Sequence, residues 1–190
     1  DPAGEVRLVS GYFFVIGAAT ATIALNGTNG LLIDGAIVTG TGTLVNKRTA
    51  TWRSGRFEFD LNGLLKNEGS LLISETDADY EFGGRLQNEG EFLHRGKSLL
   101  IGEASVLNKG TFTVLNNAII IDAAGHTALF ENQGRLEFVS EFSTDKDLDF
   151  RLESTAPGEL VVDGVNLNVR RPGTHQHAAF VTTRSSDLIR

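Results

Sequence analysis

Leu65-Lys66-Asn67-Glu68-Gly69-Ser70-Leu71 is echoed by Leu86-Gln87-Asn88-Glu89-Gly90-Glu91-Phe92, by Val106-Leu107-Asn108-Lys109-Gly110-Thr111-Phe112 and by Phe130-Glu131-Asn132-Gln133-Gly134-Arg135-Leu136. All four segments read apolar-x-Asn-x-Gly-x-apolar, with asparagines 21, 20 and 24 residues apart. An imperfect fifth copy, Leu44-Val45-Asn46-Lys47-Arg48-Thr49-Ala50, lies 21 residues before the first and has Arg48 where the others have glycine. Recurrence at one period marks a repeat architecture. A period of about 20 residues is too short for a helix-turn-helix unit and fits one coil of a β-solenoid or a leucine-rich repeat.

The residues between the marks decide between these two. They fall into short runs set apart by turn-formers: Ser70–Ile73, Asp79–Phe82 and Arg85–Asn88, then Glu91–His94, Ser98–Ile101 and Ser105–Asn108, then Thr111–Val114, Ala118–Ile121 and Ala128–Glu131. None is long enough for a helix. Three short strands per coil predict an all-β fold, a parallel β-helix of triangular section. Stacked coils place equivalent residues about 4.8 Å apart. Asn46, Asn67, Asn88, Asn108 and Asn132 are therefore expected to form a structural ladder, bonding to one another and to the turn backbone. Asparagine tolerates a left-handed corner, and Gly69, Gly90, Gly110 and Gly134 are expected to supply backbone freedom there. The intervening Lys47, Glu68, Glu89, Lys109 and Gln133 are expected to face water.

Length and composition agree with one packed domain. The 190 residues are 41% hydrophobic and 22% charged, with 22 glycines, three prolines, no cysteine and no methionine, the balance of short strands joined by glycine turns. A net charge of -7, with both signs interspersed, excludes the clustered basic surface that nucleic acid requires. The start Asp1-Pro2-Ala3-Gly4 without an initiator Met is read as processing, which implies removal of an export signal, or as an artificial start. Val9–Leu25 is the most apolar stretch but is short for a bilayer crossing and is broken by Ser10, Gly11, Gly17, Thr20 and Thr22, so no membrane span is predicted and a buried strand pair is. The expected organisation is a single solenoid over residues 1–170, with atypical apolar strands over 1–39 and regular coils over 40–140. Residues 171–190 read as a polar tail or a strand exchanged with another subunit.

The marked segments, together with Gly40-Thr41-Gly42-Thr43-Leu44-Val45-Asn46 and Thr51-Trp52-Arg53-Ser54-Gly55, resemble a family of repeats common in large bacterial exported and adhesin-like proteins. That resemblance covers about Gly40 to Ser140. It implies a right-handed parallel β-helix, an extracellular or cell-surface setting and a structural or adhesive role. Arg48 departs from the pattern and leaves the geometry of the first corner open.

Candidate chemistry is sparse. His175-Gln176-His177 has a spacing that suits zinc or copper but brings no third ligand, and reads as polar tail. His94 and His126 are expected at solvated positions. Asp145, Asp147 and Asp149 share one strand face, yet an EF-hand would need glycine at Phe150 and glutamate at Ala156; with Arg151 nearby they admit weak calcium binding or a lyase role, and a solvated edge is the plainer reading. The pairs Glu89/Glu91 and Asp77/Asp79 are ordinary among 24 acidic residues. Trp52, Phe57, Phe59, Tyr80 and Phe82 fit a core better than a sugar groove. No Ser/His/Asp order or phosphate loop is present.

The expectation is therefore a non-enzyme without catalytic residues, cofactor or metal: an extracellular or cell-surface structural or adhesive solenoid, a homo-oligomer or polymer built by strand-edge stacking. A polysaccharide-binding or lyase-like β-helix protein is the alternative, with extracellular polysaccharide as partner. Threonines 43, 49, 51, 111 and 113 are too irregular for an ice-binding face.

Overall fold

The computed structural model describes residues 6–15, 20–23, 30–60, 62–74, 79–116, 118–122, 128–148, 150–171, 173, 175–176, 179–182 and 188–189. Apolar–polar alternation at period 2, interrupted every few residues by Gly, Asn or Asp, gives strands and no helix among them. In chain order these are β1 (Val6–Leu8), β2 (Tyr12–Val15), β3 (Thr20–Ile23), β4 (Leu31–Gly40), β5 (Thr43–Asn46), β6 (Thr49–Phe59) and β7 (Leu64–Asn67). The middle of the chain supplies β8 (Ser70–Ile73), β9 (Asp79–Asn88), β10 (Glu91–His94), β11 (Lys97–Asn108), β12 (Thr111–Leu115), β13 (Ile119–Asp122) and β14 (Leu129–Asn132). The remainder are β15 (Arg135–Leu148), β16 (Arg151–Thr155), β17 (Glu159–Val169), β18 (His175–Gln176), β19 (Ala179–Thr182) and β20 (Leu188–Ile189).

The strands stack in parallel along three faces of a β-solenoid. The first face runs β3, β5, β7, β9, β11, β14, β16, β18. The second runs β1, β4, β6, β8, β10, β12, β15, β17, β19. The third contains β2, β4, β6, β9, β11, β13 and, further along, β15, β17, β20. Three separate strands per coil were expected. Instead β4, β6, β9, β11, β15 and β17 each bend round a corner and serve two faces, because a shift of register at the corner turns the strand without ending it. Gly55 and Gly84, both at φ +93, supply the backbone that such a bend demands.

Every second side chain points inward and stacks on its equivalent. One column on the second face reads Leu31, Ala50, Leu71, Phe92, Phe112, Leu136 and Leu160, all buried. Phe112 lies 4.3 Å from Phe92, centroid to centroid, and 5.1 Å from Phe130, so aromatic contact runs along the axis. Trp52, Phe57, Phe59, Tyr80 and Phe82 are core residues. Their polar atoms are satisfied: Trp52 Nε1–H donates to the Gly55 carbonyl at 3.2 Å, and the Tyr80 hydroxyl, with one hydrogen to donate, lies 2.8 Å from both the Arg53 and Ser74 carbonyls.

The flanks belong to the same stack. The apolar segment around residues 9–25 holds β2 and β3, laid in register on β4 and β5, and no helix among the described residues is long and apolar enough to cross a membrane. Within 171–190, β18, β19 and β20 pair with β16 and β17 of the same chain, and Phe180 continues the inward column after Leu160.

Candidate functional site

The ladder begins with sequence register: Asn46, Asn67, Asn88, Asn108 and Asn132 occupy successive places in one column of the first face. All five are buried, none more than 2% exposed. The Nδ2 of each of the first four donates to the Oδ1 of the next coil: Asn46 to Asn67 at 2.7 Å, then Asn67 to Asn88, Asn88 to Asn108 and Asn108 to Asn132, each at 2.8 Å. All five Nδ2 groups also donate to a backbone carbonyl of the following strand: Ser70, Glu91, Thr111, Arg135 and Glu159 at 2.8–3.2 Å. At the start of the column the Asn46 Oδ1 accepts from the Arg48 N–H at 3.2 Å. The next place after Asn132 is Ser154, whose buried Oγ meets no partner among the described residues.

The corner glycines work differently from the expectation. None of the ladder asparagines, and none of Gly69, Gly90, Gly110 and Gly134, has a left-handed φ. Close approach is what selects glycine: a Cβ on Gly90 would lie 2.0 Å from the Gly69 carbonyl oxygen, and those on Gly110 and Gly134 would meet the preceding corner's oxygen at 2.1 and 2.2 Å. Arg48 stands where the other corners have glycine. Its own carbonyl accepts the Ser70 N–H at 2.8 Å, as Gly69 accepts from Glu91 at 2.8 Å, so the first corner has the common geometry. Its φ lies outside the left-handed region, so the backbone there accepts a side chain without strain.

Lys47, Glu68, Glu89 and Lys109 are exposed between these two positions and Gln133 is half-buried. Lys66 bridges Glu68 at 2.7 Å and Glu89 at 2.8 Å; these bonds raise the Lys66 ammonium and hold the two carboxyls below their ordinary range. Such a surface network contributes little stability.

Of the other candidates, Asp145 and Asp147 are exposed on one strand face and are already engaged by the next coil. Asn166 donates to Asp145 at 2.8 Å; Asn168 and Arg170 reach Asp147 at 3.2 and 2.6 Å. Asp149, His126 and His177 lie outside the described residues, as does the Asp77 of its pair. No three metal-ligating side chains converge among the described residues. His94 was expected in solvent and is instead fully buried, because it shares the inward parity of Phe92 and continues the column of Ile73 and Val114. It borders an apolar interior cavity of about 30 Å³, far smaller than a ligand pocket.

Two buried charges escaped the reading of the sequence. Asp122 accepts from the Ala128 N–H at 3.2 Å and from Arg171 at 2.9 Å. Lys146, 5% exposed, points inward between the outward Asp145 and Asp147 and donates to the Ala118 carbonyl at 2.7 Å. Burial pushes its ammonium down to about 8. In the unfolded chain a lysine titrates near 10.4, so from about pH 8 to 10.4 unfolding takes up a proton and stability rises with pH. Lys146→Met is expected to abolish that rise and to stabilise the protein at pH 7 by about 1 kcal/mol, the relief of a buried charge set against a carbonyl left unbonded. Thermal melts of both proteins across pH 6 to 10.5 check this; parallel curves would refute it.

The arrangement therefore holds a continuous buried polar column, with acid–base groups dispersed rather than gathered. Comparison with protein-family models, with curated proteins and with solved structures finds no match for this chain.

Proposed function

We propose that this chain is a structural or adhesive rod, an exported β-solenoid that works by holding shape and self-associates through its strand edges into a fibre. The observation carrying this reading is the asparagine ladder. Five amides are bonded coil to coil along one face and each also ties down the backbone of the following strand, which fixes an extended shape along its length. The resemblance of the repeats to exported and adhesin-like proteins supports the extracellular or surface setting. A non-enzymatic role accords with Asp145 and Asp147 being bonded by Asn166, Asn168 and Arg170.

Edge stacking draws on the strands first and last in the second face. β1 pairs on one side with β4, and β19 pairs on one side with β17 and is exposed throughout, with Phe180 at 48%. An edge of this kind accepts another strand, and a head-to-tail contact need not close. Electron microscopy and light scattering over a concentration series test the reading on the whole chain, on a form lacking residues 1–17, and on Phe180→Glu. Filaments in the parent that are lost in both altered forms are the expected result; a parent that stays monomeric at high concentration sinks the fibre.

A further inference from the structure

The first rung of the third face carries two aromatic rings on its outer side. Tyr12 and Phe14 alternate with the inward Phe13 and Val15, and are 64% and 60% exposed. Their centroids are 5.8 Å apart and their planes differ by 18°. Among the described residues the other large aromatics of this face, Phe57, Phe59, Tyr80 and Phe82, are buried. Exposed stacked rings expose apolar surface that a solenoid face does not need for folding. The corner before them is strained: Ser10, a residue with a side chain, sits at φ 108, and the Gly11 carbonyl accepts the Ile37 N–H at 2.9 Å, which sets the start of β2 on the rung beneath.

Register defines what lies beside the rings. Tyr12 stands on Ile37 and Phe14 on Thr39; one rung further come Arg56 and Glu58, and then Glu81 beside Arg56. Arg56 pairs with Glu58 at 2.9 Å and with Glu81 at 3.3 Å, and each of the three side chains is about one-third exposed. An aromatic platform is thus followed, at rung intervals of about 4.8 Å, by the Ile37 and Thr39 step and by a row of hydrogen-bonding groups. Size chooses the occupant. Two rings of about 150–250 Å² each, roughly three-fifths exposed, offer roughly 200–300 Å², well short of the roughly 800 Å² a stable protein partner covers. A sugar ring, by contrast, is about the size of one rung step, with an apolar C–H face for the aromatics and hydroxyls for the carboxylates and guanidinium. The row carries two carboxylates to one guanidinium, which disfavours a polyanion.

We infer that Tyr12 and Phe14, with Arg56, Glu58 and Glu81, form a binding site for a neutral polysaccharide of equatorially substituted pyranoses running along the solenoid axis. This does not depend on fibre formation. The test is native affinity electrophoresis of the whole chain in gels containing hydroxyethyl cellulose, mixed-linkage β-glucan or galactomannan, with polygalacturonate as the acidic control. Retardation by at least one neutral glycan is expected, weakened at least tenfold in Tyr12→Ala and Phe14→Ala and retained in Tyr12→Phe. Melting temperatures unchanged in the alanine variants separate loss of binding from loss of fold. The inference is overturned if no neutral glycan retards the parent, if the alanine variants bind as well as the parent, if polygalacturonate is preferred, or if the substitutions change only oligomeric state or retention on phosphatidylcholine vesicles.

Discussion

Gly110→Ala is expected to be among the most damaging single-methyl changes, lowering stability by about 3 to 5 kcal/mol. The added Cβ would sit 2.1 Å from the Gly90 carbonyl oxygen and 2.8 Å from the Glu89 carbonyl carbon. Both are backbone atoms, so no rotamer change relieves the contact. The Gly90 oxygen is also held by the Thr111 N–H at 2.9 Å, and the Asn88 carbonyl by the Lys109 and Gly110 N–H groups at 2.7 and 3.0 Å. Separating the coils enough to admit a methyl group breaks these bonds together. Conformation is not the obstacle, since φ at Gly110 lies outside the left-handed region. Chemical denaturation reads the loss. A Gly110→Ala protein within 1 kcal/mol of the parent, on the order of one surface substitution, would show that the corners are looser than described.

Asn108→Leu is expected to cost about 3 kcal/mol. Leucine fills similar space, so the loss isolates hydrogen bonding: Asn132 Oδ1 loses its donor, one Nδ2–H of Asn88 loses its acceptor, and the Arg135 carbonyl loses one partner. Each buried polar group left unpaired costs about 1–3 kcal/mol. The opposite change sits one coil past the end of the column. Ser154→Asn places an amide opposite Asn132, whose Nδ2 then finds an Oδ1 where Ser154 now buries an unbonded hydroxyl; a gain of about 1 kcal/mol is expected. Thermal melts of Asn108→Leu and Ser154→Asn moving in opposite directions are the required outcome, and two melts that both match the parent would refute a ladder that contributes to stability.

Most of the architecture was legible because β-strands write their environment at period 2 and solenoids repeat it at the coil length. The runs Ser70–Ile73, Arg85–Asn88, Glu91–His94 and Ser105–Asn108 stand where the alternation puts them, and asparagine at one phase of every coil marks the column. Three things were harder to see. A corner that requires glycine for lack of room looks, in sequence, like one that requires it for φ; only the distance to the neighbouring coil separates the two. The bends within β4, β6, β9 and β11 depend on register shifts against adjacent strands, which one strand's sequence does not contain. The buried charges were readable and passed over: in Asp145-Lys146-Asp147-Leu148 the lysine shares the parity of the inward leucine, as Asp122 shares that of Ile120 and His94 that of Phe92. Reading polarity before parity placed His94 on the wrong side of the strand.

The corners carry one more consequence, for how such a chain changes its length. The bonds joining Asn46 to Glu68 and Gly69 recur between Asn67 and Glu89 and Gly90, and again between Asn88 and Lys109 and Gly110, within about 0.1 Å. Coils linked by interchangeable joints form a ruler whose graduation is one turn. Duplicating or deleting a whole 20- or 21-residue unit leaves each joint facing an equivalent one and shifts the far end by about 4.8 Å. Changing the count by one residue within a strand instead reverses inside and outside for everything up to the next corner. Reach is thus tunable in discrete steps without redesign of the interior, while slippage between steps is blocked by the same alternation that builds the core.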